Sequence, residues 1–128
     1  MMSQHVKVAQ RTFLENYLKL LQEVEGSFSF VLDCYKQGNE DIGDRLLQQM
    51  MMGLLPYNTE NMTVASIFGH DDASMEALRV FHKEVHIAIK IDEEMATAEE
   101  KSRFVHEVMQ PRIQQWRNTV HEKLTELL

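Results

Sequence analysis

A long apolar stripe in the first third of the chain most constrains what this sequence can fold into. Apolar side chains recur there at steps of three and four residues, which is the repeat of one α-helix face and not of a β-strand. The stripe consists of Phe13, Tyr17, Leu20, Leu21, Val24, Phe28, Val31 and Tyr35. No proline interrupts it, and Gly26 is its only glycine. Because one helix cannot bury such a stripe alone, partner helices must cover it.

The same periodicity continues along the chain and predicts an all-α fold. A first helix is predicted over about residues 4–37, with Gly38 supplying the left-handed backbone that often ends a helix. A second helix is predicted from Asp41 onward. It should end before Pro56, because a proline disfavours the helical conformation of the residue that precedes it. Gly26 weakens the middle of the first helix by about 1 kcal/mol relative to alanine; the alternatives are that it marks a kink or the close approach of a neighbouring helix.

The second half of the chain predicts two further helices. Residues 56–72 fit either a short helix capped by Asn58 or Thr59 or an ordered loop. A third long helix begins at Asp71 or Asp72, since both are good N-caps. A fourth helix follows the capping box Thr97–Glu100. Pro111 lies inside it and predicts a kink near residues 107–111.

These elements predict one helical-bundle domain over residues 1–128. Connections between the long helices are short, so sequential helices should be antiparallel. The expected architecture is an antiparallel up-down four-helix bundle with a kinked last helix.

The acidic composition disfavours several classes of partner. The chain carries 20 acidic and 13 basic residues, a formal charge of −7, which disfavours nucleic acid and anionic membranes as partners.

Cys34 is the single cysteine, so it cannot form a disulfide within the chain. A signal peptide and a membrane-spanning apolar run are both missing from the sequence, and we expect a cytoplasmic protein.

His82 and His86 are the only residues with the spacing of metal ligands. Positions i and i+4 lie on one helix face, so both imidazoles could bind one divalent transition metal. Glu93 and His106 are candidates for further ligands. The alternative is that both histidines are ordinary hydrogen-bonded residues at the edge of the apolar arc.

A methionine-rich segment near the end of the second helix is a candidate partner-binding surface. It comprises Met50, Met51, Met52 and Met62. Flexible thioether side chains adapt to varied apolar partners. The alternative is that these methionines simply fill the core.

The sequence contains no recognisable set of catalytic residues. The Gly-x-Ser-x-Gly elbow, the phosphate-binding loop and the dinucleotide fingerprint are all missing. We therefore expect a non-enzymatic interaction module without a cofactor, which binds a helical partner protein or forms a homodimer. A metal-binding bundle with hydrolase or redox activity, built on His82 and His86, is the alternative.

Two segments resemble a known family. The segment from Leu14 to Leu21, followed by Gly38-Asn39 and then Leu46-Leu47, resembles the opening hairpin of small flagellar export chaperones of the FliT type. The chain also resembles small uncharacterised helical proteins of Gram-positive bacteria, which have a segment similar to Pro111–Trp116. The resemblance to the chaperones implies binding of another protein's helix during assembly or export.

Overall fold

The computed structural model describes residues 3–128, and within that range the chain is all-helical and contains no β-strand. The α-helices are α1 (Gln4–Lys36), α2 (Glu40–Leu54), α3 (Met62–Phe68), α4 (Asp72–Ile89), α5 (Ile91–Glu94), α6 (Ala98–Phe104) and α7 (Gln110–Leu127). A π-helical turn, Val105–Met109, joins α6 to α7. The all-α prediction is confirmed.

The limits of α1 and α2 agree with those predicted from the sequence. The Ser3 hydroxyl caps α1 by accepting a hydrogen bond from the backbone N–H of Val6. Gly38 has a φ of 81°, in the left-handed region that side chains other than glycine rarely adopt. It lies in the turn before α2, which then ends ahead of Pro56.

The segment between α2 and α4 contains a short helix, one of the two alternatives left open by the sequence. Its N-cap is Asn61, whose side chain accepts a hydrogen bond from the backbone N–H of Val64. Asn58 and Thr59 were therefore the wrong caps. Asn58 instead bonds within the preceding turn. Gly69 ends the helix as predicted.

The third predicted helix is divided in two by the structure. Asp71 caps α4, because its carboxylate accepts hydrogen bonds from the backbone N–H groups of Ala73 and Ser74. The helix ends at Ile89, and Lys90 separates it from the single turn of α5.

The disturbance predicted at Pro111 takes the form of the π-helical turn. Proline has no backbone N–H and its ring clashes with the carbonyl four residues earlier, so regular α-helix is disfavoured there. The backbone N–H of Gln110 bonds to the carbonyl of Val105, five residues back. Upstream, the Thr97 hydroxyl accepts from the backbone N–H of Glu100, as the capping box predicts.

The longer helices pack around a shared apolar core. Helix α1 contacts α2, α6 and α7, and α4 contacts α2 and α7. The largest buried side chains include Trp116 of α7, Tyr17 of α1 and Phe68 of α3. The Trp116 indole N–H donates to the Tyr17 hydroxyl over 2.7 Å, so the polar atoms of both rings are satisfied inside the core.

Close helix–helix approach occurs at Gly43 and not at Gly26. A Cβ added to Gly26 would meet no atom within 4 Å, so of the alternatives for Gly26 the close approach of a neighbouring helix is wrong. A Cβ on Gly43 would lie 2.7 Å from Cε1 of Tyr35. The missing side chain at Gly43 therefore allows α2 to pack on the Tyr35 ring of α1.

Candidate functional site

The two candidate metal ligands lie side by side on α4. The ring centroids of His82 and His86 are 4.7 Å apart and the rings are nearly perpendicular. Burial, and then the nearby His86, lower the pKa of His82, which favours the neutral form that binds metals. No group of three or more His, Cys, Asp or Glu side chains placed to hold a metal ion occurs among residues 3–128. The structure thus does not bring Glu93 or His106 to this pair.

The four candidate methionines do not form one surface. Met51 is fully buried in the core, so it is not available to a partner. Met50 is half-buried and Met52 is exposed, and the two point about 160° apart, because two steps of 100° rotate the helix by about 200°. Met62 is exposed at the start of α3. Of the four, only Met50 lines a groove between helices.

That groove lies between α1 and α2 and has a volume of about 290 Å³. It is lined by Leu20, Glu23, Val24, Ser27, Gln49, Met50 and Gly53. Space for a Cβ is open at Gly53, where no atom lies within 4 Å. Ser27 has a small side chain and Gly53 has none, so neither helix has a bulky group at this point of the groove. A partner helix can therefore approach closely.

Further apolar side chains extend the groove toward the α1–α2 turn. Phe30 is 59% exposed and lies one helical turn beyond Ser27. Ile42 is 49% exposed and lies one turn before Leu46 on α2. We call the following set the α1–α2 face: Leu20, Glu23, Ser27 and Phe30 on α1, with Ile42, Leu46, Gln49, Met50 and Gly53 on α2.

Members of the α1–α2 face recur at steps of three and four residues along each helix. On α1 its members are separated by three, four and three residues, and on α2 the series Ile42, Leu46, Gln49 and Gly53 is separated by four, three and four. This alternation keeps the members of each series on one side of their helix, where apolar and polar residues are mixed. The sequence contained this signal, but the buried stripe next to it on α1 concealed it.

A buried polar cluster lies on the core side of the same two helices. The Asp44 carboxylate accepts a hydrogen bond from the Tyr35 hydroxyl over 2.8 Å and another from the Lys101 ammonium over 2.9 Å. Lys101 also lies 3.3 Å from the carboxylate of Glu40. Sequence reasoning did not find this cluster, because its members lie up to 66 positions apart, from Tyr35 to Lys101.

The protonation states in this cluster follow from its contacts. Burial alone would lower the pKa of Lys101, but the hydrogen bonds and negative charges of Asp44 and Glu40 raise it above its usual value. Burial and then the bond to Asp44 raise the pKa of the Tyr35 hydroxyl. The cluster therefore holds a charged lysine and a neutral phenol at neutral pH. The hydrogen bonds and ion pairs of this cluster link α1, α2 and α6.

A larger groove of about 550 Å³ runs between α1, α6 and the π-helical turn. Five of the nine residues that line it are charged: Asp33, Lys36, Glu99, Arg103 and Glu107. The centres of protein interfaces are depleted in charge, so the α1–α2 face is the better candidate for binding a partner helix.

The relationship of the chain to known proteins is decided by a family model. The model described as a domain of unknown function (DUF8042) matches residues 12–119. The chain belongs to this family. The match includes both halves of the α1–α2 face and every member of the buried polar cluster. Neither a curated protein nor a solved structure matches the chain.

Within residues 3–128, no helix is both long enough and apolar enough to cross a membrane.

Proposed function

We propose that this protein is a non-enzymatic, cytoplasmic interaction module whose α1–α2 face binds an amphipathic helix of another protein molecule. The observation that carries the proposal is the open groove at Gly53, flanked by the half-buried Leu20 and Met50 and continued by the exposed Phe30 and Ile42. Helix-in-groove recognition uses a shallow apolar channel of this kind, with anchors from the partner at three- and four-residue spacing.

The architecture proposed for this role is the antiparallel up-down four-helix bundle. Its members would be α1, α2, α4 and an irregular fourth helix formed by α6, the π-helical turn and α7. Contacts of α1 with α2 and α7, and of α4 with α2 and α7, support this arrangement. In such a bundle, a groove between two adjacent helices receives a further helix without any change in the core.

The test is to fill the groove without disturbing the fold. Gly53→Leu places an isobutyl group in open space, and the removal of a helical glycine stabilises the helix by about 1 kcal/mol. Gly26→Leu is the matched control, since Gly26 is also helical, also has open space around it and lies off the face. Both variants should therefore show equal or higher thermal stability.

Binding is measured with helical peptides selected from a random display library against the wild-type protein. We expect Gly53→Leu to weaken binding of the selected peptides at least tenfold and Gly26→Leu to leave it unchanged. Met52→Glu changes an exposed methionine outside the face and should also bind normally. Peptides that bind Gly53→Leu as well as wild type, or that lose binding to Met52→Glu alone, would overturn the proposed surface.

The adjacency of His82 and His86 favours a second candidate function, that of a metal-binding bundle. Two imidazoles on one helix face, one of them held neutral, supply half of a tetrahedral site. The test is elemental analysis of protein purified without a tag or chelator, followed by thermal melts with added zinc. A metal site requires near one equivalent of metal per chain and a rise in Tm that His86→Ala abolishes.

A further inference from the structure

The histidine pair of α4 has ring nitrogens that are available to a ligand. His82 is half-buried and His86 is exposed. Neither ring forms a hydrogen bond or an ion pair with any of residues 3–128. The ring of His106 differs, because its Nδ1 lies 3.0 Å from the side-chain oxygen of Gln110. The two imidazoles of α4 are therefore neighbours whose nitrogens no protein group holds.

The distance between the two rings is compatible with one shared metal ion. A metal–nitrogen bond of about 2.0–2.1 Å places the ion about 3.2 Å from the centre of each imidazole ring. Two rings bound at an angle between about 90° and 109° then have their centres about 4.5–5.2 Å apart. The ring centroids of His82 and His86 are 4.7 Å apart, within this range. Because His86 is exposed, its ring can turn to aim a nitrogen at the same ion.

The chain supplies only part of a coordination shell at this pair. No third His, Cys, Asp or Glu side chain among residues 3–128 is placed to complete a metal site. Structural zinc sites are closed by four protein ligands, whereas sites with fewer protein ligands keep positions open for water or another molecule. A metal on His82 and His86 would therefore keep coordination positions open on its outer side.

The charges around the pair do not oppose a bound cation. Metal binding requires neutral imidazoles, and burial, followed by the nearby His86, lowers the pKa of His82. Arg79 lies one turn before His82 on the same side of α4. Its guanidinium is paired with the carboxylate of Glu76, so its charge is balanced locally. Both rings can thus be neutral at a pH where divalent metals bind.

We infer that His82 and His86 form an open two-histidine chelate for Cu²⁺, and more weakly for Ni²⁺ and Zn²⁺, whose remaining coordination positions take ligands from outside the chain. Imidazole nitrogen suits these three metals, Cu²⁺ binds most tightly in the series, and Mg²⁺ and Ca²⁺ require oxygen ligands. The inference rests on the second candidate function, because it states which kind of site the histidine pair forms. It is independent of the α1–α2 face.

The probe is soluble Cu²⁺–iminodiacetate, in which the small chelator occupies part of the coordination shell and leaves positions open. It is titrated into the untagged full chain near neutral pH by isothermal titration calorimetry. We expect His82→Ala and His86→Ala each to weaken binding at least tenfold, because the second imidazole binds at a high effective concentration once the first has bound. His121→Ala removes an exposed histidine of α7 and should leave the affinity unchanged.

Two double variants separate the spacing of the histidines from their number. Lys83→His/His86→Ala keeps two histidines on this part of α4, but positions 82 and 83 point about 100° apart, so we expect binding as weak as in His86→Ala. Arg79→His/His86→Ala places the pair three residues apart on one helix face, and we expect it to regain tight binding. Circular dichroism checks that both variants are folded; the Arg79–Glu76 pair is exposed, and its loss should cost little stability.

Two results of the titrations overturn the inference: wild-type protein that binds the probe no more tightly than His86→Ala, or Lys83→His/His86→Ala that binds it as tightly as wild type. A third result separates the inference from the second candidate function. A zinc-dependent rise in Tm that His86→Ala abolishes, without binding of Cu²⁺–iminodiacetate, would keep the metal-binding bundle and overturn the open chelate. Protein that responds to neither metal probe would overturn both.

Discussion

Removal of the Lys101 charge is predicted to be among the most damaging single changes in this protein. The Lys101 side chain is 5% exposed and that of Asp44 is 9% exposed. Water therefore cannot solvate the charge of one residue when the other is removed. Lys101→Met preserves most of the side-chain length and apolar volume. It leaves the Asp44 carboxylate buried with the Tyr35 hydroxyl as its single partner.

The expected loss of stability follows from the contacts. Removing one partner of a buried ion pair costs about 3–5 kcal/mol. The lower end applies here, because Tyr35 still donates to Asp44 and because Glu40 is 38% exposed and can be solvated. With about 2.1 cal/mol/K of unfolding entropy per residue, the 128 residues give about 0.27 kcal/mol/K. A loss of about 3 kcal/mol then lowers Tm by about 11 °C.

The assay is thermal and urea unfolding followed by circular dichroism at pH 7. Lys123→Met is the matched control. Lys123 pairs with Glu126 at the surface, with side chains 33% and 66% exposed, and such pairs contribute at most about 1 kcal/mol. The double variant Lys101→Met/Asp44→Leu should be more stable than Lys101→Met alone, since it removes the uncompensated charge. A decrease in Tm of less than about 3 °C for Lys101→Met would refute this account of the cluster. A double variant that is less stable than Lys101→Met would also refute it.

Four further substitutions test the packing and the protonation of the core. Gly43→Ala places a methyl group against the Tyr35 ring and should lower the free energy of unfolding, measured in urea, by about 1–3 kcal/mol. Gly26→Ala should instead raise it by up to about 1 kcal/mol. Equal effects of the two substitutions would contradict the contact between Gly43 and Tyr35. Tyr17→Phe removes the acceptor of the Trp116 indole N–H and should cost about 1–3 kcal/mol, so an unchanged urea midpoint would contradict it. Burial raises the pKa of Tyr17 and Tyr35 above the usual 10.0, so unfolded chains lose these protons first and stability should fall as pH rises above about 10. Tyr35→Phe should flatten that fall, and a urea midpoint constant from pH 9 to about 11 would disagree with it.

The limits of the helices could be predicted because local chemistry sets them. Gly38 permits a left-handed turn, Asp71 and Thr97 bond backbone N–H groups within their own first turns, and Pro111 disturbs the turn that precedes it. Each of these effects acts within about five residues. Over that range the sequence alone determines which residues are in contact. The cap of α3 was misassigned because Asn58, Thr59 and Asn61 are all plausible caps, and packing selects among them.

The candidate site was less accessible to sequence reasoning. Consecutive methionines suggested one patch, but the 100° rotation per residue sends Met50 to the α1–α2 groove, Met51 to the core and Met52 to solvent. Which of these directions is the interior depends on where α1 and α4 lie against α2. That information is tertiary.

The sequence by itself determined that the chain is helical, where most helices begin and end, and that an apolar stripe must be covered. These follow from periodicity, capping and backbone chemistry, which are properties of neighbouring residues. Only the tertiary structure decided that Lys101 lies beside Asp44, that Gly43 is the point of close approach, and which apolar side chains remain exposed beside an open groove. The physical reason is that burial and ion pairing depend on distances between residues remote in the chain, and only the packing of the helices sets those distances.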